Sequence, residues 1–141
     1  MRALALCLFV FATPPTAWNV TNERDRMTDK TLTWASTSSG NATLLVGCLN
    51  GHVQPRLTWD RPVGRGDIGI SYRFDDGPVV PRFAMVSQDG TVLYPWIADY
   101  AAAMARLKNG KRLRVTIGQA FYDFDLQQGG APLPAIRCYA K

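Results

Sequence analysis

The chain has 141 residues, 47% of them apolar, with 16 basic and 11 acidic side chains and a formal charge of +5. That length suits one domain with a core of its own. The charge is mildly basic, and no basic stripe interleaved with aromatics accompanies it, which argues against a nucleic-acid partner.

Residues 1–17, MRALALCLFVFATPPTA, read as an export signal. Arg2 gives a positive start, Ala3 to Ala12 form an apolar run too short to span a bilayer, and Pro14 and Pro15 break it ahead of Ala17. Cleavage after Ala17 leaves 141 − 17 = 124 residues, from Trp18 to Lys141, as a single β-rich domain. No later apolar run is long enough for a membrane span, so the expected location is periplasmic or secreted. In that setting the remaining cysteines, Cys48 and Cys138, are expected to pair. The bridge would close a loop of 138 − 48 = 90 residue steps. The chain-entropy model gives roughly 4–5 kcal/mol for a loop of that size. An oxidised sulfur is no nucleophile, so thiol catalysis is not expected.

Residues 18–30 are polar and read as an irregular arm. Asn19-Val20-Thr21 and Asn41-Ala42-Thr43 match glycosylation sequons, short patterns that also arise by chance. Strand patterning starts near Thr31, with Leu32, Trp34 and Ser36 on one face. Thr43–Leu49 is almost continuously apolar, as a central strand would be. Asn50-Gly51 predicts a tight hairpin into His52–Asp60, where Val53, Leu57 and Trp59 share a face and Pro55 suggests an edge or bulge. Arg61–Asp67 reads as a loop. Ile70, Tyr72 and Phe74 then alternate inward, and Gly77-Pro78 turns the chain. Val79–Ser87 follows, with Phe83 and Met85 expected inward. Asp89-Gly90 predicts another turn, before Thr91–Tyr94. A helix is expected over about Trp96–Asn109, from the helical spacing of Ile97, Tyr100, Met104 and Leu107, with Gly110 as its stop. Leu113–Ile117 and Phe121–Leu126 read as the last strands. The expected fold is mainly β (α+β), an antiparallel sandwich or open barrel with one packed helix.

Few residues suggest chemistry. His52 is the one histidine and sits beside a hairpin turn, where a solvated role is expected. With no second histidine and two distant cysteines, no metal or other cofactor is expected. Gly64-Arg65-Gly66-Asp67 lacks the lysine and helix of a phosphate loop. Asp75-Asp76 read as turn-makers. Asp123 and Asp125 share a strand face and are the one carboxylate pair that a glycan-active enzyme could use. Outward strand positions carry Arg56, Arg73, Arg82, Arg112 and Arg114, with Asp75 beside them. These arginines either form a face for a carboxylate- or phosphate-bearing partner, or are neutralised across strands by Asp75, Asp123 and Asp125. Trp34 and Trp59 are expected in the core, and Trp18 and Trp96 buried rather than exposed.

Several strings together resemble a family. Met27 and Asp29 end the arm. A strand leads to Cys48, and Trp59 follows on the next strand. Then come Tyr72-Arg73-Phe74-Asp75-Asp76-Gly77, Phe124-Asp125-Leu126 and Cys138. This order resembles the VasI/TagO-like family of small exported proteins associated with type VI secretion. Gln127 and Gln128 ahead of Gly129 depart from the family pattern, as does the Gly/Pro-rich stretch before Cys138. The resemblance implies a periplasmic accessory protein without an established catalytic set. The expectation is therefore an exported, non-enzymatic binding protein, its partner an envelope or secretion-apparatus protein or an anionic cell-wall component. The alternatives are an inhibitor or immunity-type protein that blocks an envelope enzyme such as a peptidoglycan hydrolase, through Arg61–Asp67 or Gly77–Pro81, and a cell-wall glycan-active enzyme.

Overall fold

The computed structural model describes residues 18–49, 51–94, 96–97, 99–127 and 133–138. The expected leader, Asn50 of the first turn, and Gln128 to Gly130 lie outside these residues.

Among the described residues, nine antiparallel strands form one sheet. In chain order they are β1 (Asn19–Arg24), β2 (Thr31–Ser39), β3 (Ala42–Leu49), β4 (His52–Trp59), β5 (Asp67–Phe74), β6 (Val80–Val86), β7 (Val92–Tyr94), β8 (Arg112–Ile117) and β9 (Ala120–Asp125). One helix, α1 (Tyr100–Asn109), lies between β7 and β8. The order across the sheet is β1-β2-β3-β4-β7-β6-β5-β8-β9. The strands are not divided between two hydrogen-bonded sheets. The sheet bends on itself, so that β9 at one end comes against β2. Thr37 Oγ1 of β2 donates to the Asp125 carbonyl at 3.3 Å. Trp59 of β4 meets Tyr122 of β9 edge-on, with ring centroids 5.6 Å apart.

Alternation fills the concave side. Ala35, Leu44, Val46, Leu57, Trp59, Ile70, Phe74, Leu93, Leu113, Val115 and Phe124 are all buried there. Trp18 and Trp96 are buried too, as expected, and each indole N–H finds a backbone carbonyl: Leu126 at 3.2 Å and Pro55 at 3.1 Å. The second contact explains Pro55. β4 is interior in the order, but β7 pairs only with its Leu57 and Thr58. Beyond that short partner β4 is locally an edge, which is where a residue without an N–H is tolerated.

Cys48 and Cys138 are joined in a disulfide, with Cα atoms 5.3 Å apart. The bridge fastens the C-terminal segment, where a 3₁₀ turn at Leu133–Ala135 is followed by buried Ile136.

Four sequence expectations are corrected. Residues 19–24 form β1 rather than an irregular arm. All six are exposed, so the strand carries no burial period and is specified by its backbone pairing to β2. The helix begins at Tyr100, because Asp99 acts as its N-cap and accepts the Ala102 N–H at 3.0 Å. Trp34 lies on the convex face. Its neighbours Ala35 and Thr37 pair with buried Val46 and Leu44, so Trp34 must point the other way, where its Cβ stands over Gly47. β6 is also reversed. Ala84 and Val86 point inward, while Phe83 and Met85 are exposed.

Candidate functional site

Strands β5, β8 and β9 carry the candidate face on their convex side. Ile70, Phe74, Leu113, Val115 and Phe124 point into the core, so the alternate residues point out. Register then sets charged side chains in rows. Arg73 lies opposite Arg114, which lies opposite Asp123, and one step along Arg112 lies opposite Asp125.

The charges are unevenly matched. Arg114 holds Asp123 through two hydrogen bonds, Nε to Oδ1 at 2.6 Å and an Nη to Oδ2 at 2.7 Å. That two-pronged geometry is the strongest arginine–carboxylate contact. Its hydrogen bonds hold the Asp123 carboxyl below the usual carboxylate range and raise Arg114 further. The Arg114 guanidinium also lies 5.0 Å from the Phe121 ring centroid. Arg73 is held more loosely. Its Nε donates to the Asp75 carbonyl at 3.2 Å, and an Nη reaches Asp76 at 3.4 Å. Arg112 approaches the same Asp76 at 3.9 Å, and the Asp76 side chain is 98% exposed.

Asp75 is not one of the neutralising acids. It sits just past β5 at φ 50°, a left-handed conformation that short polar side chains tolerate. Its Oδ1 accepts the backbone N–H groups of Lys111 and Arg112 at 2.9 and 3.0 Å, and its own N–H donates to the Arg112 carbonyl. One carboxylate therefore fixes how the chain passes from α1 into β8. Gly77 closes the same turn by donating to the Phe74 carbonyl, and a Cβ at Gly77 would lie 2.9 Å from that oxygen. Asp125 likewise stays local, accepting the Gln127 N–H at 2.9 Å. Of the three acids expected to neutralise the arginines, Asp123 does so by direct contact, while Asp76 serves Arg73 and Arg112. Asp75, Asp76, Lys111, Arg112, Asp123 and Asp125 border an open hollow of about 700 Å³.

The expected arginine face is therefore smaller than the sequence suggested. Arg73, Arg112 and Arg114 come together with Asp75. Arg56 does not join them, because β4 is separated from β5 by β7 and β6. On its own stretch of sheet Arg56 lies opposite Leu45. Arg82 shares the inward parity of Ala84 and Val86 and pairs with buried Ile70. Nε is buried and unpartnered in both Arg56 and Arg82 among the described residues.

The remaining motif residues are mainly architectural. Phe74 and Phe124 are core residues, and Tyr72 packs against the core beside Trp96. Met27 and Asp29 lie in the β1–β2 turn. There Asp29 pairs with Arg24 at 2.9 Å, while Asp25 accepts the Met27 N–H and the Thr28 hydroxyl. Those bonds, the Met27 N–H first, hold the Asp25 carboxyl below its usual range. His52 is exposed at the start of β4, as expected. In the Asp123–Asp125 pair, Asp123 has both carboxylate oxygens engaged by Arg114, while Asp125 accepts the Gln127 N–H.

Sequence reading missed Asp76 as the shared partner of two arginines, and Phe121 as the ring beneath Arg114. Phe121 was detectable in principle, because it breaks the polar run of outward β9 positions. Comparisons with protein-family models, with curated proteins and with solved structures return no match for this chain.

Proposed function

We propose that this chain is an exported, disulfide-linked envelope protein that acts by binding another protein rather than by catalysis, as its resemblance to the VasI/TagO-like family implies. The observation that carries this reading is the loose pairing of Arg73 and Arg112 with a single exposed carboxylate, Asp76, beside the tightly closed Arg114–Asp123 pair. A partner carboxylate could replace Asp76 on Arg73 without disturbing the fold, while a partner cation takes up Asp76. The bent single sheet supports an open-barrel description and gives this face a rigid backing.

The test is affinity capture from the protein's own cell envelope, with an Arg73→Ala variant alongside. The expected result is an envelope or secretion-apparatus protein retained by wild type and lost by the variant. Retention that is indifferent to Arg73 removes the arginine face from the reading. The inhibitor reading is favoured by one observation. The β1–β2 turn, pinned by Asp25, holds Met27 outward at 92% exposure, a shape suited to entering a cleft. It predicts stoichiometric inhibition of a peptidoglycan hydrolase that is lost in Met27→Ser.

A further inference from the structure

Helix α1 and the concave side of the sheet leave a cleft of about 230 Å³ between them. Asp99, Ala102, Ala103 and Arg106 form its helical wall. They lie three, four and seven positions along from the first, the spacing that brings residues onto one side of a helix. Tyr72 and Phe74, inward residues of β5, face them across the cleft. The two alanines leave the space that longer side chains would fill. Apart from Asp99, Arg106 and the Tyr72 hydroxyl, the lining is apolar.

The polar groups of the cleft are used unequally. Asp99 is committed to the fold, because its Oδ1 accepts the Ala102 N–H at 3.0 Å as the helix N-cap. Arg106 is exposed, and its guanidinium lies 5.7 Å from the centroid of the buried Phe74 ring, at the mouth of the cleft. Arg73, Arg112 and Arg114 each have a carboxylate partner, whereas Arg106 has none among the described residues. Tyr72 meets the same Phe74 ring edge-on at 6.1 Å, and no hydrogen bond engages its hydroxyl among the described residues. Two unengaged donors therefore flank one aromatic ring. An apolar cleft with a few such polar groups is the usual form of a small-molecule site.

We propose that this cleft binds a small monocarboxylic acid with a compact apolar body. The carboxylate sits on Arg106 and the Tyr72 hydroxyl, and the body lies between Phe74 and the two alanines. Charge selects the class, because a guanidinium held over a ring still presents its planar donors to a carboxylate. Asp99 lies roughly 10 Å from Arg106 along the helix axis and repels a second acid group at that end, so a monoacid is preferred to a diacid. Size selects further. Sites for drug-sized ligands start at about 300 Å³, so this smaller cleft suits a molecule of the size of phenylacetate. The cleft is on the concave side, away from the convex arginine face, so Arg73→Ala leaves this binding unchanged.

The test is amide-resolved NMR titration of the oxidised protein, recovered from an exporting host, with phenylacetate and with its neutral amide, phenylacetamide. The expected result is saturable shifts along α1 and at Tyr72 and Phe74, with a Kd of about 0.1–1 mM for the acid and about tenfold weaker binding of the amide. Arg106→Gln should abolish the preference for the acid, and Tyr72→Phe should weaken acid binding about threefold. Ala102→Leu, at an exposed helix position, fills the cleft and keeps Arg106, and should remove binding of both probes. A wild-type protein without saturable shifts up to about 20 mM overturns the proposal. Equal affinity for acid and amide overturns it too, as does acid binding indifferent to both Arg106→Gln and Ala102→Leu. A blocked peptide ending in phenylalanine that shifts the same amides, where phenylacetate does not, also overturns it and assigns the cleft to a protein C-terminus.

Discussion

The convex surface divides into two regions built on opposite principles. Over β5, β8 and β9 the outward Arg73, Arg112 and Arg114 each have a carboxylate partner, and Arg114 and Asp123 close on each other through two short bonds. Along β6 the outward side chains Pro81, Phe83 and Met85 are apolar and exposed. The first region is stable as it stands, with only the Arg73–Asp76–Arg112 cluster loose enough to exchange partners. The second leaves apolar area in water that association would remove. The same sheet therefore offers one surface that discriminates by charge and another that gains by burial.

The largest perturbation should remove both regions at once. Cys48→Ser with Cys138→Ser opens a loop of 90 residue steps and frees the segment that carries Leu133 and Ile136. The chain-entropy model puts the loss at roughly 4–5 kcal/mol, comparable with the whole stability of a small domain. Urea unfolding of the oxidised protein and the double variant measures it. A loss well under 1 kcal/mol would mean that the C-terminal segment is held by packing alone.

The next effect separates an inward aromatic from an outward one. Phe124→Ala empties a fully buried site and should cost about 3–5 kcal/mol. Phe83→Ser removes an exposed ring and should stay within about 0.5 kcal/mol in the monomer. Were Phe83→Ser to cost as much as Phe124→Ala, β6 would have the face that its sequence suggests, and the contrast between the two regions would disappear.

Where the sequence was legible follows from the same contrast. β5, β8 and β9 could be read because burial, alternation and register agree there. Ile70, Phe74, Leu113, Val115 and Phe124 are all apolar and inward, and charged residues alternate with them. The Asp89-Gly90 turn was legible because Gly90 adopts φ +80°, and a Cβ there would lie 2.9 Å from the Gly64 carbonyl. β6 was misread because its outward positions, Pro81, Phe83 and Met85, are more apolar than its inward ones, which include Arg82, so composition points to the wrong parity. Its turn and its pairing set the parity instead, with Val86 locked opposite fully buried Leu93. β1 was missed because a strand exposed on both faces carries no periodic signal. The candidate site was half legible. The outward arginines of β5 and β8 could be placed from alternation, but strand order decided that Arg56 and Arg82 stand elsewhere, and no local pattern encodes strand order.

Asp75→Ala comes third in size. It deprives two backbone N–H groups, those of Lys111 and Arg112, of their acceptor, for a loss of about 1–3 kcal/mol. Asp75→Asn keeps the acceptor oxygen and should recover part of that loss. Because the carboxylate joins α1 to β8, hydrogen exchange should quicken first at Lys111 and Arg112, in the charged region, and leave the Val86–Leu93 pairing unchanged. Equal loosening at both places would mean that the two regions share one cooperative support rather than separate local ones.

The smallest effect concerns the Arg114–Asp123 pair itself. Both side chains are about one-third exposed, at 35% and 33%, so solvent screens most of what the pair contributes to stability. The sign is nonetheless defined. Hydrogen bonds from Arg114 lower the Asp123 carboxyl in the folded state. A depressed carboxyl contributes stability that is fully present above its unfolded-state value and is lost as pH falls through the folded-state value. The contribution is therefore constant near neutrality and fades only in acid, below the usual carboxylate range. Carboxyl-resolved NMR titration should place the Asp123 midpoint below the usual carboxylate range, and Arg114→Ala should raise it. Stability at neutral pH should change least of the four cases. If Arg114→Ala leaves the Asp123 midpoint where it was, the pair is not closed in solution. Arg114 would then be as available to a partner as Arg73, and the charged region would hold three exchangeable arginines, Arg73, Arg112 and Arg114, in place of two.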